Sequence, residues 1–178
     1  MAQALIARLI EASPLRSPAF RKFYSGATGS AIGYTMQATI AAWLMATLTP
    51  SALMVALVQT ASTAPAILFG LIAGALADVV DRRRIVLVAQ IVLVAACALL
   101  GVATLGGAVG PGTLLTMTFV VGAAFTFYMP AQQSSVNDFV HRSEMAHALS
   151  LGAASFNIAR AVGPALAGGI AAWLGTTT

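Results

Sequence analysis

Charge is almost absent from this chain, and where it occurs it is bunched. No Asp, Glu, Lys or Arg stands between Lys22 and Asp78, and none between Arg84 and Asp138. Between these two apolar runs lies Gly74-Ala-Leu-Ala-Asp78-Val-Val-Asp81-Arg82-Arg83-Arg84. A charge left in hydrocarbon is costly, whereas a spanning helix satisfies its own backbone. A short charged hinge between long uncharged runs is therefore a loop between membrane-spanning helices. Composition agrees. Charged residues are 8% and hydrophobic residues 59% of the 178, where a soluble domain carries about 25% charge.

The net charge of +4 is then no argument for nucleic acid, because Lys and Arg in a membrane protein report orientation first. The single cysteine, Cys97, excludes an internal disulfide and a cysteine metal site, and reads as a small buried hydrophobe. There is no paired intramembrane carboxylate, no metal-spaced histidine set and no glycine-framed serine nucleophile. No catalytic and no metal residues are expected, and the chain does not read as an enzyme. His141 and His147 read as solvated groups at the membrane surface.

Residues 1–22 read as a cytoplasmic amphipathic segment and 23–178 as a membrane bundle. Leu5, Ile6, Leu9 and Ile10 share one helical face opposite Arg8 and Glu11, as in an interfacial helix. Arg16, Arg21 and Lys22 follow as a basic collar. A span needs about 20 apolar residues, and five all-α spans are expected over 23–48, 52–80, 85–105, 113–136 and 144–174. Thr49-Pro50 stops the first, Ser51 is placed to cap the second, Gly106-Gly107 ends the third and Ser143 is placed to cap the fifth. The basic collar, Arg82–Arg84 and His141-Arg142 alternate with two uncharged loops, so every basic loop falls on one side. By the positive-inside rule the N-terminus is cytoplasmic.

The third span is apolar all round and is expected to lie outside. The first and fifth are two-faced. In the fifth, Ser150, Ala153, Asn157, Arg160, Pro164 and Gly168 share a small and polar face, with Leu151, Ile158, Val162, Leu166, Ile170 and Trp173 behind. Such faces turn toward neighbours or a wet cavity, which places the first, second, fourth and fifth spans around an interior. Arg160 is the sharpest feature. It lies roughly 25 Å into its helix, where a charge costs at least about 2.5–3.5 kcal/mol. It reads either as a substrate- or coupling-site cation or as a structural arginine bonding carbonyls, with Asn157 one turn before it in the same network. Tyr34 and Gln37, on the inward face of the first span, line a cavity or bond another helix. Gly29 with Gly33, and Gly70 with Gly74, have the spacing that lets helix backbones approach.

Gly74-x-x-x-Asp78-x-x-Asp81-Arg82-Arg83 resembles the signature that the major facilitator superfamily places between its second and third spans. Gly163-Pro164-Ala-Leu-Ala-Gly168-Gly169 is similar to the glycine–proline motif of its antiporters in the fifth. Asn157-x-x-Arg160-x-x-Gly163-Pro164, with Pro130-Ala-Gln-Gln in the fourth span, looks like the exporter branch of enterobactin-type siderophore and macrolide efflux proteins. The likeness runs from about Pro14 onward. It implies twelve spans in two six-helix halves that rock around a central site. It implies that Gly74 allows close packing, that Asp78 meets a helix dipole of the other half and latches one state, and that Arg82 and Arg83 bind acids or lipid phosphates. Asp81 replaces the commonest glycine, Val79 stands where a basic residue is frequent, and Thr118 stands near the place of an arginine typical of proton-driven antiporters.

The implied function is small-molecule export by alternating access, of a drug or siderophore-like substrate, in the inner or plasma membrane. No cofactor is implied beyond a coupling ion, a proton being the natural choice. The expected partners are the lipid bilayer, the substrate and C-terminal helices of the same transporter. Five spans are less than one half of that fold, truncated before the sixth helix. The 178 residues alone are therefore expected not to transport, the alternative being a degenerate or partner-dependent scaffold without transport activity.

Overall fold

The computed structural model describes residues 14–175, with side chains to residue 173. The expected interfacial helix over 1–12 lies outside the described residues. Five long helices follow one another: α1 (Pro18–Leu48), α2 (Ala52–Val79), α3 (Arg82–Leu105), α4 (Pro111–Ser135) and α5 (Met145–Gly175). The described residues contain no strand. Short 3-10 turns over Pro14–Arg16, Val136–Asp138 and Arg142–Glu144 complete the path.

Local chemistry sets the helix ends. Ser17 caps α1 by accepting from the Phe20 N–H at 3.3 Å, and Pro18 occupies the first turn, where its missing N–H is harmless. Asp81 caps α3, accepting from the Arg83 N–H at 3.0 Å. Gly107 adopts φ 66° just past the end of α3, and the Ala108 N–H reaches back to the Ala103 carbonyl at 2.9 Å, closing the helix in a Schellman turn. Two expected caps differ. Ser51 stands at the start of α2 but makes no side-chain cap bond; instead the Thr49 hydroxyl accepts from the Ser51 N–H at 3.2 Å. Ser143 sits inside the 3-10 turn, so α5 begins only at Met145.

Three helical stretches, Ala52–Val79, Arg82–Leu105 and Pro111–Asp138, are long and apolar enough to cross a membrane by length and composition. Helices α1 and α5 have 31 residues each, roughly 46 Å, which is ample length. Hydroxyl, glycine and amide residues dilute their apolar character.

Helix α4 is the hub. It packs along α2 and along α3, and also meets α1. Its buried residues, including Leu114, Val121, Ala124, Phe125, Tyr128 and Ala131, fall on several faces. Helix α3 is peripheral, burying only the line Ile85, Ala89, Leu93, Ala96 and Leu100. Helix α5 packs along α1 and meets α4 through the ring of Phe156 against Phe125, centroids 6.4 Å apart. Helices α1 and α2 also meet directly, and a small residue of α4 admits α2 closely.

One crossing shows this directly. A Cβ placed on Gly122 of α4 would lie 2.5 Å from the Ser62 carbonyl oxygen of α2 and 3.2 Å from Pro65 Cγ. Only glycine permits that approach.

Candidate functional site

A cleft of about 430 Å³ opens between α2 and α4, with Tyr34 of α1 among its walls. Ser62 and Thr63 come from α2, and Phe125, Met129 and Gln133 from α4. The Tyr34 ring lies flat on Phe125, centroids 3.8 Å apart and planes 6° apart. Phe125 in turn contacts Tyr128, centroids 5.7 Å apart. The lining thus offers aromatic faces and a thioether with hydroxyl and amide groups, and carries no charge.

Of the four cavity candidates, Tyr34 alone lines this cleft. Gln37 is buried, with neither amide atom hydrogen-bonded. Asn157 and Arg160 are exposed on α5. Neither side chain makes a hydrogen bond or ion pair with any described residue. Arg160 follows Phe156 by one turn, so it shares the side of α5 whose ring meets α4. It stands near the middle of a 31-residue helix. Tyr34 thus lines the cleft, Gln37 is buried, and Asn157 and Arg160 lie on the exposed surface of α5.

The seam between α1 and α5 was not apparent in the sequence. The Tyr24 hydroxyl donates to the Leu151 carbonyl at 3.0 Å and accepts from the Ser155 hydroxyl. Thr28 Oγ1 lies 3.1 Å from Ser155 Oγ, and the Thr35 hydroxyl donates to the Ala159 carbonyl at 2.8 Å. The available signal was spacing: Tyr24, Thr28 and Thr35 recur on one face of α1, and Ser155, Ala159, Gly163 and Ala167 at four-residue steps on α5. This buried line of α5 runs between its apolar and polar faces. Gly163 is where the two helices come closest. A Cβ there would lie 2.0 Å from Thr35 Oγ1 and 3.2 Å from the Met36 nitrogen. The other members of the glycine–proline motif, Pro164, Gly168 and Gly169, are exposed.

A second polar junction crosses the bundle. Gln90 Nε2 of α3 donates to the Ser30 hydroxyl of α1. Gln90 ties the apolar middle of α3 to α1.

At the basic end, the loop between α2 and α3 is partly self-contained. Arg82 donates to the Ser134 carbonyl at 3.2 Å and faces Asp138 at 3.7 Å, joining the start of α3 to the end of α4. Asp81, besides its capping bond, lies 3.7 Å from Arg84. Asp78 and Arg83 are exposed, and their side chains have no polar partner among the described residues. Gly74 has nothing within 4 Å of a Cβ built on it, and the same holds for Gly29, Gly33 and Gly70. The spacing of these four glycines brings no backbone close among the described residues.

No curated protein and no solved structure matches the chain. A family model described as transmembrane secretion effector, of the major facilitator superfamily, matches residues 10–178. With five long helices, a charged loop between α2 and α3 and a glycine-closed α1–α5 crossing, the chain belongs to that family: it is a multi-pass membrane transporter chain and not an enzyme.

Proposed function

We propose that the chain forms the N-terminal part of a secondary exporter of small molecules, working by alternating access in the cell membrane with its N-terminus in the cytoplasm. Arg160 is the substrate- or coupling-site cation, and Asn157 belongs to its polar patch. The observation that carries this reading is the placement of Arg160: mid-helix, exposed and without a protein partner among the described residues. An intramembrane arginine in that position demands an anion or water, because a bare charge at such depth is costly. The uncharged aromatic cleft beside Tyr34 takes the apolar body of the substrate. Siderophore- or macrolide-like compounds, which combine rings with polar groups, suit it. Coupling is to protons. Asp78 and Arg83, exposed and unpaired among the described residues, meet the complementary helices and lipid phosphates.

The test is export from cells carrying the full-length gene, scored against panels of siderophores and macrolides. Arg160→Ala and Arg160→Lys should cut efflux about 10-fold or more, as expected for losing a charge-assisted hydrogen bond of about 1.5–3 kcal/mol. Protein level should be unchanged. Unaltered export by both variants would assign Arg160 a structural role. For the loop, Asp78→Asn should shift the balance of labelling between cysteines placed at the two membrane faces, and an unchanged pattern would remove the latch.

A further inference from the structure

Two buried polar side chains on facing helices lack partners. Gln37 is 8% exposed, and neither its Oε1 nor its Nε2 is bonded. Thr118 is 0% exposed, and its hydroxyl has no hydrogen-bond partner among the described residues. The behaviour of Thr118 sets it apart on its own helix. Thr116 and Thr126 return their hydroxyls to carbonyls four residues back, at 2.9 and 2.8 Å. Thr118 does not.

Helix register places the two groups at one level of α1 and α4. On α1, Gln37 falls between Tyr34, which stacks on Phe125, and Ala41, which clusters with Leu114. On α4, Thr118 falls between the same two residues, Phe125 and Leu114, and Leu114, Thr118 and Phe125 share one helical face. The flat ring pair thus bounds this level on one side and Ala41 with Leu114 on the other.

Chemistry narrows what can sit there. The Gln37 amide presents two donors and an acceptor, and the Thr118 hydroxyl one donor and two lone pairs. A metal cation would bond Oε1 and leave the NH₂ bare. An anion would do the reverse. Only a group that both donates and accepts serves both ends of the amide, and buried polar groups in native proteins find such partners. We propose that Gln37 and Thr118 hold a single water molecule in the α1–α4 seam, each hydrogen-bonded to it. Buried waters of this kind make two to four such bonds and are costly to remove.

Thermal unfolding of the full-length protein in detergent tests this, with Gln37→Leu, Thr118→Val and the double variant. A shared water loses an anchor in either single variant and leaves the other group unpaired. Each single should therefore lower Tm by about 2–4 °C, and the double should fall no further than the worse single. A rise in Tm for either single would overturn the proposal, because it would mean that an unpaired polar group had been relieved. Losses that simply add would overturn it too, since they mark two independent groups. Should Gln37→Leu fail to accumulate, Thr118→Val decides alone. The swap keeps the side-chain volume, so a fall in Tm supports the water and no change or a rise overturns it.

Discussion

Gly122→Ala is expected to destabilise the protein by roughly 1–3 kcal/mol, and Gly122→Val by more. The reason is what the new methyl would strike. It would lie 2.5 Å from the Ser62 carbonyl oxygen and 3.1 Å from the Ser62 carbonyl carbon. These are backbone atoms, and no rotamer change can withdraw them. Pro65 stands behind, with Cγ at 3.2 Å, so α2 cannot pivot locally around the contact. Relief requires α2 and α4 to move apart along the contact that organises the bundle. In hydrocarbon that separation is not offset by a hydrophobic drive, since helices associate there through close packing. Each kilocalorie corresponds to about 2–4 °C in Tm for a chain of this size, so the Ala variant should melt several degrees early in detergent. The control is Gly70→Ala on α2, where nothing lies within 4 Å. It should be neutral or slightly stabilising, because Ala favours helix over Gly by about 1 kcal/mol. Equal Tm for Gly122→Ala and wild type would show that α2 and α4 do not cross as closely as described.

The helices were legible because each rests on a long uncharged run punctuated by recognisable stops. Thr49-Pro50, Gly106-Gly107 and the cluster at Asp81 mark real ends. What escaped was rotation. A glycine pair at four-residue spacing tells that a helix can be approached, not that it is. Gly29, Gly33, Gly70 and Gly74 meet nothing within 4 Å, while Gly122, which belongs to none of those pairs, meets the Ser62 carbonyl of α2. Which glycine meets a neighbour depends on how two helices are turned, and one helix's sequence does not carry that. The candidate site suffered similarly. Tyr34 lines the cleft, but Gln37, one turn on, is buried outside it. Tyr24, Thr28 and Thr35 went unread because a hydroxyl in a helix can always bond its own preceding turn, as Thr28 and Thr35 also do. Asp81 drew attention as part of a conformational loop, which hid its local work as a helix cap.

Gly163→Ala should be the other costly change, and it divides the fifth-helix motif into parts with different duties. The added methyl would lie 2.0 Å from Thr35 Oγ1, 2.9 Å from Thr35 Cβ and 3.2 Å from the Met36 nitrogen. The hydroxyl could swing away, but only by giving up its 2.8 Å bond to the Ala159 carbonyl. Thr35 Cβ and the Met36 nitrogen are fixed by the α1 backbone, so part of the clash survives any rotation. Helix α5 must then lift from α1, loosening the Tyr24–Ser155 and Tyr24–Leu151 contacts further along the same seam. A loss of roughly 1–3 kcal/mol follows from overpacking, with about 0.6 kcal/mol more from one interhelical hydrogen bond in a membrane. Thr35→Ala should restore part of the stability of Gly163→Ala while being destabilising alone, since it clears the nearest atom but sacrifices the bond. That sign reversal is the decisive measurement, because two unrelated lesions would only add. Gly168→Ala and Gly169→Ala, with nothing within 4 Å, should leave Tm unchanged or raise it. If they fall as far as Gly163→Ala, the motif acts as a flexible hinge and not as a single point of contact. If Gly163→Ala alone falls, and Thr35→Ala rescues it, the motif fixes how α5 is carried on α1, and with it where Arg160 points.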